Sequence, residues 1–132
     1  MFEITKIINS SASSVEPEIY PVTDGTKIVC GCAMVMNEGK LRACQTAEVP
    51  EYIAASDKAD AFGEITVYPV SDTVEFRVRV KGGTSDGYQK GSRVSVLAEN
   101  GVATSVKLDA QGAGIITGTS EKAGCVHIKF KV

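Results

Sequence analysis

Apolar and polar residues alternate along this chain in short stretches, and Gly, Asn, Asp or Ser interrupts them roughly every 8–12 residues. Helical periodicity is weak throughout. The pattern predicts an all-β fold, a compact β-barrel or β-sandwich of roughly 9–11 short, mostly antiparallel strands. The clearest strand is Thr73–Lys81, where Val74, Phe76, Val78 and Val80 point one way and Glu75, Arg77, Arg79 and Lys81 the other. After the loop Gly82–Gly87 and a turn at Lys90-Gly91, the dipeptide Asn100-Gly101 predicts a type I′ hairpin joining Arg93–Glu99 to Val102–Leu108, because both residues tolerate positive φ. A glycine-rich connection, Asp109–Gly114, leads to a short strand at Ile115–Thr117, and Cys125–Val132 closes the chain with Val126, Ile128, Phe130 and Val132 on one face.

The first half has the same texture. Glu18–Val22 is extended, Asp24-Gly25 turns, and Thr26–Val29 leads into Cys30-Gly31-Cys32. Cys32–Met36 and Lys40–Cys44 flank Asn37-Glu38-Gly39, read as a three-residue hairpin loop, and Tyr52–Ala55 and Gly63–Val70 follow as strands. Asp57–Ala61 between them has room for a helical turn. No internal repeat shows at a fixed period. The polar run Asn9–Ser14 separates an apolar strip, Phe2, Ile4, Ile7 and Ile8, from the rest. The organisation expected is an extended N-terminal arm over residues 1–20 and a single β domain over 21–132, a span that also admits two lobes, 21–81 and 82–132. Such a strip either tucks onto its own core or adds a strand to a neighbour's sheet.

With 132 residues the chain can bury a core without cross-links. Fourteen Lys and Arg against sixteen Asp and Glu leave a net charge of −2 and no basic run, so nucleic acid is not an expected partner. No apolar run approaches the roughly 20 residues that span a bilayer, and the start MFEITKIINS lacks the basic and apolar regions of a secretory signal. Neither export by that route nor a membrane partner is expected.

Four cysteines and one histidine are the whole soft-ligand inventory. In the simple register of a three-residue loop Cys32 lies opposite Cys44, Cys30 shares the face of Cys32, and Cys125 shares a face with His127. A zinc site from Cys30, Cys32, Cys44, Cys125 and His127 is thus conceivable, as is a Cys32–Cys44 disulfide under oxidising conditions. Structural zinc sites, however, use knuckles that turn around the metal, whereas Cys-x-Cys in a strand spreads its sulfurs along an edge. The preferred reading is small free thiols acting as half-buried hydrophobes, with no metal and no cofactor. His127 has no nucleophile motif beside it and reads as a strand histidine. Asp57, Asp60 and Glu64 lack the order of a calcium loop, and Asp57 and Asp60 read as turn formers and helix caps. Gly112-Ala113-Gly114 precedes β-branched residues and reads as a turn, not a phosphate cradle. No enzyme is expected. A carbohydrate platform would have to come from Tyr20, Tyr52, Tyr68 and Tyr88, since the chain has no Trp.

The order Gly25-Thr26-Lys27-Ile28-Val29, Ala33–Met36, Gly39-Lys40-Leu41, Tyr52-Ile53-Ala54 and Gly63–Val70, running on to Phe76, resembles the head decoration (capsid cement) proteins of tailed bacteriophages and related prophage structural proteins. The resemblance implies a compact β module, often trimeric, on the capsid surface, made in the bacterial host cytoplasm and bound to the major capsid protein. It implies an N-terminal arm that clamps neighbouring subunits, mapping here onto Met1 to about Tyr20, with Phe2, Ile4, Ile7, Ile8, Ile19 and Tyr20 as the contact residues. The part after Lys81 falls outside it. The alternative from another class is a carbohydrate- or cell-surface-binding module using the loop Gly82–Tyr88 and exposed tyrosines.

Overall fold

Eleven strands carry the architecture of this computed structural model, which describes residues 1–7 and 15–131. They are β1 (Glu3–Ile7), β2 (Glu18–Pro21), β3 (Ala33–Asn37), β4 (Lys40–Ala43), β5 (Tyr52–Ala54), β6 (Glu64–Pro69), β7 (Val74–Val80), β8 (Arg93–Glu99), β9 (Val102–Leu108), β10 (Gly114–Thr119) and β11 (Cys125–Phe130). The all-β expectation holds. Thr26–Val29 and Asp57–Ala61 form neither strand nor helix, and one 3₁₀ turn covers Lys81–Gly83. Among the described residues no helix is long and apolar enough to cross a membrane.

The strands form two sheets. The second-half sheet runs β1-β7-β11-β10-β8-β9, and β9 returns to pair in parallel with β7 at Arg79↔Ser105 and Val80↔Val106. Five strands thereby close into a barrel, with β1 laid along the first part of β7. The first-half sheet runs β2-β6-β5-β3-β4, and a parallel bridge, Val22↔Leu41, links its two ends.

These are the same topology twice. Adding five to each label of the first order, 2-6-5-3-4, yields 7-11-10-8-9, and both rings meet through a parallel contact between their first and third strands. Local details repeat as well. Val22 N–H donates to Gly63 O and Val80 N–H to Gly124 O, each at 3.0 Å, and the two glycines have φ of 74° and 73°. Ser56-Asp57-Lys58-Ala59 stands where Ser120-Glu121-Lys122-Ala123 stands in the second unit. The repeat is thus one of topology, which the absence of a fixed period in the sequence does not reveal. No fixed period shows because Asp60-Ala61-Phe62 intervenes before Gly63, whereas Ala123 adjoins Gly124 directly.

Period-two alternation explains the burial. Val74, Phe76, Val78 and Val80 are at most 3% exposed inside the second barrel, together with Val94, Val96, Val106, Ile116, Val126, Ile128 and Phe130. The first unit encloses Cys32, Met34, Leu41, Ala54, Ile65 and Val67. Both faces of β3 are covered, because Ala33 and Val35, with Cys44 and Ile53, pack into the larger cluster on the side opposite Cys32 and Met34. Each fully buried aliphatic side chain contributes about 1.5–3 kcal/mol, so the shared layer joins the two units.

Two boundaries differ from the expectation. Residue 20 falls inside β2, a strand of the first sheet, and the second unit begins with β7 at Val74. Over Glu3–Ile7 the chain is a strand of its own second sheet, with Glu3↔Arg77 and Ile7↔Val74 among its pairs. Its apolar Phe2 is buried in the core cluster of that sheet against Phe76 and Phe130. Residues 8–14 lie outside the described residues.

Candidate partner-binding surface

Apolar side chains can meet a partner only where the chain's own core has not taken them. Phe2 is 3% exposed, edge-on to Phe76 with ring centroids 6.2 Å apart and 5.8 Å from Phe130, and its N–H donates to Gly31 O at 2.8 Å. Ile4 packs against the same cluster, Ile7 is half-buried, and Ile8 lies outside the described residues. Tyr20 faces inward against Tyr52, ring centroids 5.2 Å apart, and its hydroxyl donates to Glu18, which pushes the phenol above its ordinary range. Ile19, on the opposite face of β2, is 61% exposed. Of the six residues expected to meet a partner, Ile19 alone is mainly in water among the described ones.

The β3–β4 turn decides the fate of the thiols. Glu38 and Gly39 have φ of 51° and 81°, a two-residue loop, so Asn37 pairs with Lys40 and Met34 with Ala43. This shifts the register by one from the expected three-residue loop and turns one strand's side chains to the other face. Cys44 N–H donates to Ala33 O, not opposite Cys32, and the two sulfurs enter different cores. The expected facing pair is thereby corrected, and all four cysteines are free. Cys30 sits half-buried in a loop with its N–H on Asp57 Oδ1 at 2.9 Å. Cys125 lies opposite Arg79, and His127 opposite Arg77 with Nδ1 3.7 Å from Glu75 Oε1. Among the described residues no three Cys, His, Asp or Glu side chains converge.

Burial pushes the Cys44 thiol up to about 12 and raises that of Cys32 as well. Since the thiolate is the reactive form, alkylation of the native protein near pH 8 is expected to modify Cys30 first and to leave Cys32 and Cys44 unmodified until the chain unfolds. Mass mapping after timed iodoacetamide exposure checks this, and early labelling of Cys44 would contradict it.

Charge divides between the units. Residues 15–73 carry four Lys and Arg against ten Asp and Glu, a net of −6, whereas 74–131 carry nine against five, a net of +4. The overall −2 conceals a dipolar molecule. Among the described residues two Arg–Glu pairs lie at the surface: Arg42 holds Glu48 through two contacts of 2.7 Å, and Arg77 holds Glu3. In each the arginine's hydrogen bond keeps the carboxyl below its usual range.

The feature that residue patterns missed is Phe62, 87% exposed in the β5–β6 connection. Asp60 fixes this loop by accepting the N–H of Phe62 at 2.9 Å and of Glu64 at 3.0 Å on Oδ1, while its own N–H donates to Glu64 O at 2.8 Å. An aromatic ring held out on a fixed turn loses little freedom when a partner covers it. Its signal was the insertion, visible once the two units are aligned. By contrast, Tyr52, Tyr68 and Tyr88 are half-buried, and Tyr88 packs on the core, so the loop Gly82–Tyr88 presents no open ring. Comparison with known protein families finds no match, and comparison with curated proteins finds none either.

Proposed function

We propose that the protein is a non-enzymatic virion structural protein that decorates and stabilises a bacteriophage capsid by binding its major capsid protein, as a homo-trimer on the capsid surface. The observation that carries the reading is the exposed apolar surface of the unit that bears the resemblance to cement proteins. The resembling segment, residues 25–76, lies almost wholly in the first sheet, and that sheet with its connections leaves Ile19 on β2 and Phe62 in the β5–β6 loop in water. Exposed apolar groups on a fixed frame suit a protein contact. A repeating lattice then multiplies modest single contacts into firm attachment.

The reading places the capsid contact on β2, centred on Ile19. Mixed with candidate bacteriophage heads, the wild-type protein is expected to cosediment, and Ile19→Asp to be recovered about tenfold less, as for loss of an interface anchor. Wild-type protein that stays in the supernatant with such heads would overturn the reading.

A further inference from the structure

Asp60-Ala61-Phe62, the insertion that distinguishes the first unit from the second, creates a knob. Phe62 stands 87% exposed between Asp57, Asp60 and Glu64, with Lys58 the one cation in that stretch. The second unit carries the reverse. On β7 and β11 the outward positions are Glu75, Arg77, Arg79, then Cys125, His127 and Lys129, with Arg79 opposite Cys125 and Arg77 opposite His127. The carboxylates of that face are already engaged: Glu3 by Arg77, and Glu75 by the Thr117 hydroxyl at 2.5 Å and by His127. Among the described residues Arg79 and Lys122, both exposed, reach no carboxylate within 4.0 Å. Beside them is a depression of about 180 Å³ lined by Met1, Glu3, Arg77, Arg79, Lys122, Ala123 and Cys125, in which Glu3 is the one carboxylate and is held by Arg77. A cavity of about 150 Å³ holds a benzene molecule, so this volume accommodates a phenyl ring.

We propose that these surfaces are the two halves of one contact between copies of this chain. The Phe62 ring of one copy seats in the Ala123–Cys125 depression of another, and the carboxylates around it face Arg79 and Lys122. Size supports the ring, and charge supports the orientation, because an acidic loop repels its like and is drawn to the exposed Arg79 and Lys122 that line the depression. The partner is a second copy because this chain holds both complementary parts, and knob and hole on different parts of one surface join copies without needing a third component. The contact deepens the self-association in the capsid-decoration reading, but it is tested without capsids. Its failure leaves head binding untouched, and failure to bind heads leaves this contact standing.

Sedimentation velocity of the full chain from micromolar to millimolar concentration should show association that weakens with added salt. Phe62→Ala should weaken it about thirtyfold, as truncation of a central aromatic anchor does. The double variant Arg79→Glu, Lys122→Glu should weaken it comparably. Because these side chains are exposed, unchanged melting temperatures establish that the variants are folded. At a concentration where each variant is monomeric, an equimolar mixture should form a one-to-one complex, since it reunites an intact knob with an intact hole. The proposal is overturned if the wild type is monomeric throughout, if Phe62→Ala associates as the wild type does, or if the mixture stays monomeric.

Discussion

Replacing Phe2 by alanine is expected to lower the unfolding free energy by about 3–5 kcal/mol, the usual cost of emptying a buried phenylalanine site. The ring is 3% exposed and meets Phe76 and Phe130, both fully buried, so its loss leaves a void among three aromatic rings. Domains of this kind hold only about 5–15 kcal/mol in all. The neighbourhood cannot collapse into the void easily, because Phe76 is held on β7 between β1 and β11 and Phe130 closes β11. Urea unfolding followed by far-UV circular dichroism should show the midpoint fall with an unchanged slope, and Phe2→Leu should recover most of the loss. A midpoint within error of the wild type would show that the ring does not hold the barrel. The result bears on function directly. A chain trimmed at its start would fail in a capsid assay through instability, whatever role residues 1–7 have in binding, so attachment is better tested through exposed Ile19 than by truncation.

Most of the second unit was legible because its signals are local. Period-two alternation marks β7, and Asn100-Gly101 sets a hairpin whose strands, Arg93–Glu99 and Val102–Leu108, were read with the bounds they have. The β3–β4 hairpin was read one residue out, since Asn37-Glu38-Gly39 suits either a three-residue loop or a two-residue one, and only the positive φ at Glu38 decides. That single residue moved Cys44 away from Cys32 and removed the facing thiols on which a disulfide or metal site depended. The place of the first strand was not legible at all. Its partner β7 is some seventy residues away, as in Glu3↔Arg77, and an apolar strip before a polar run reads the same whether it closes its own barrel or reaches a neighbour. The duplication was hidden for a different reason. A closed barrel tolerates loops of different length between strands far better than changes within them, so two units of one topology need not share a sequence period. The charge separation was present in the composition but invisible in its sum, because −6 and +4 nearly cancel.

Gly112→Ala should be among the most damaging single-methyl changes in this protein, costing about 3 kcal/mol or more as severe overpacking does. A Cβ at residue 112 would stand 2.0 Å from the Val94 carbonyl oxygen, 2.3 Å from its carbon and 2.9 Å from Ser95 N. All three are backbone atoms of β8, so no side chain can rotate away and the strand itself must move. The same strand pairs with β10 through Gly114↔Val94 and with β9 through Val94↔Leu108, which means that displacing it opens the barrel on two sides. Glycine here closes the turn its sequence context suggests, donating its N–H to Asp109 O at 2.9 Å, and also allows close backbone approach to β8. The control is Gly118→Ala on the same strand as Gly114: its φ is not positive and an added Cβ meets nothing within 4 Å, so it should be neutral or stabilise by up to about 1 kcal/mol. Thermal melts of the two variants beside the wild type separate the cases. If Gly112→Ala melts with Gly118→Ala, β8 yields more readily than a strand bonded on both edges should, and the second barrel is not the rigid frame that its closed hydrogen bonding implies.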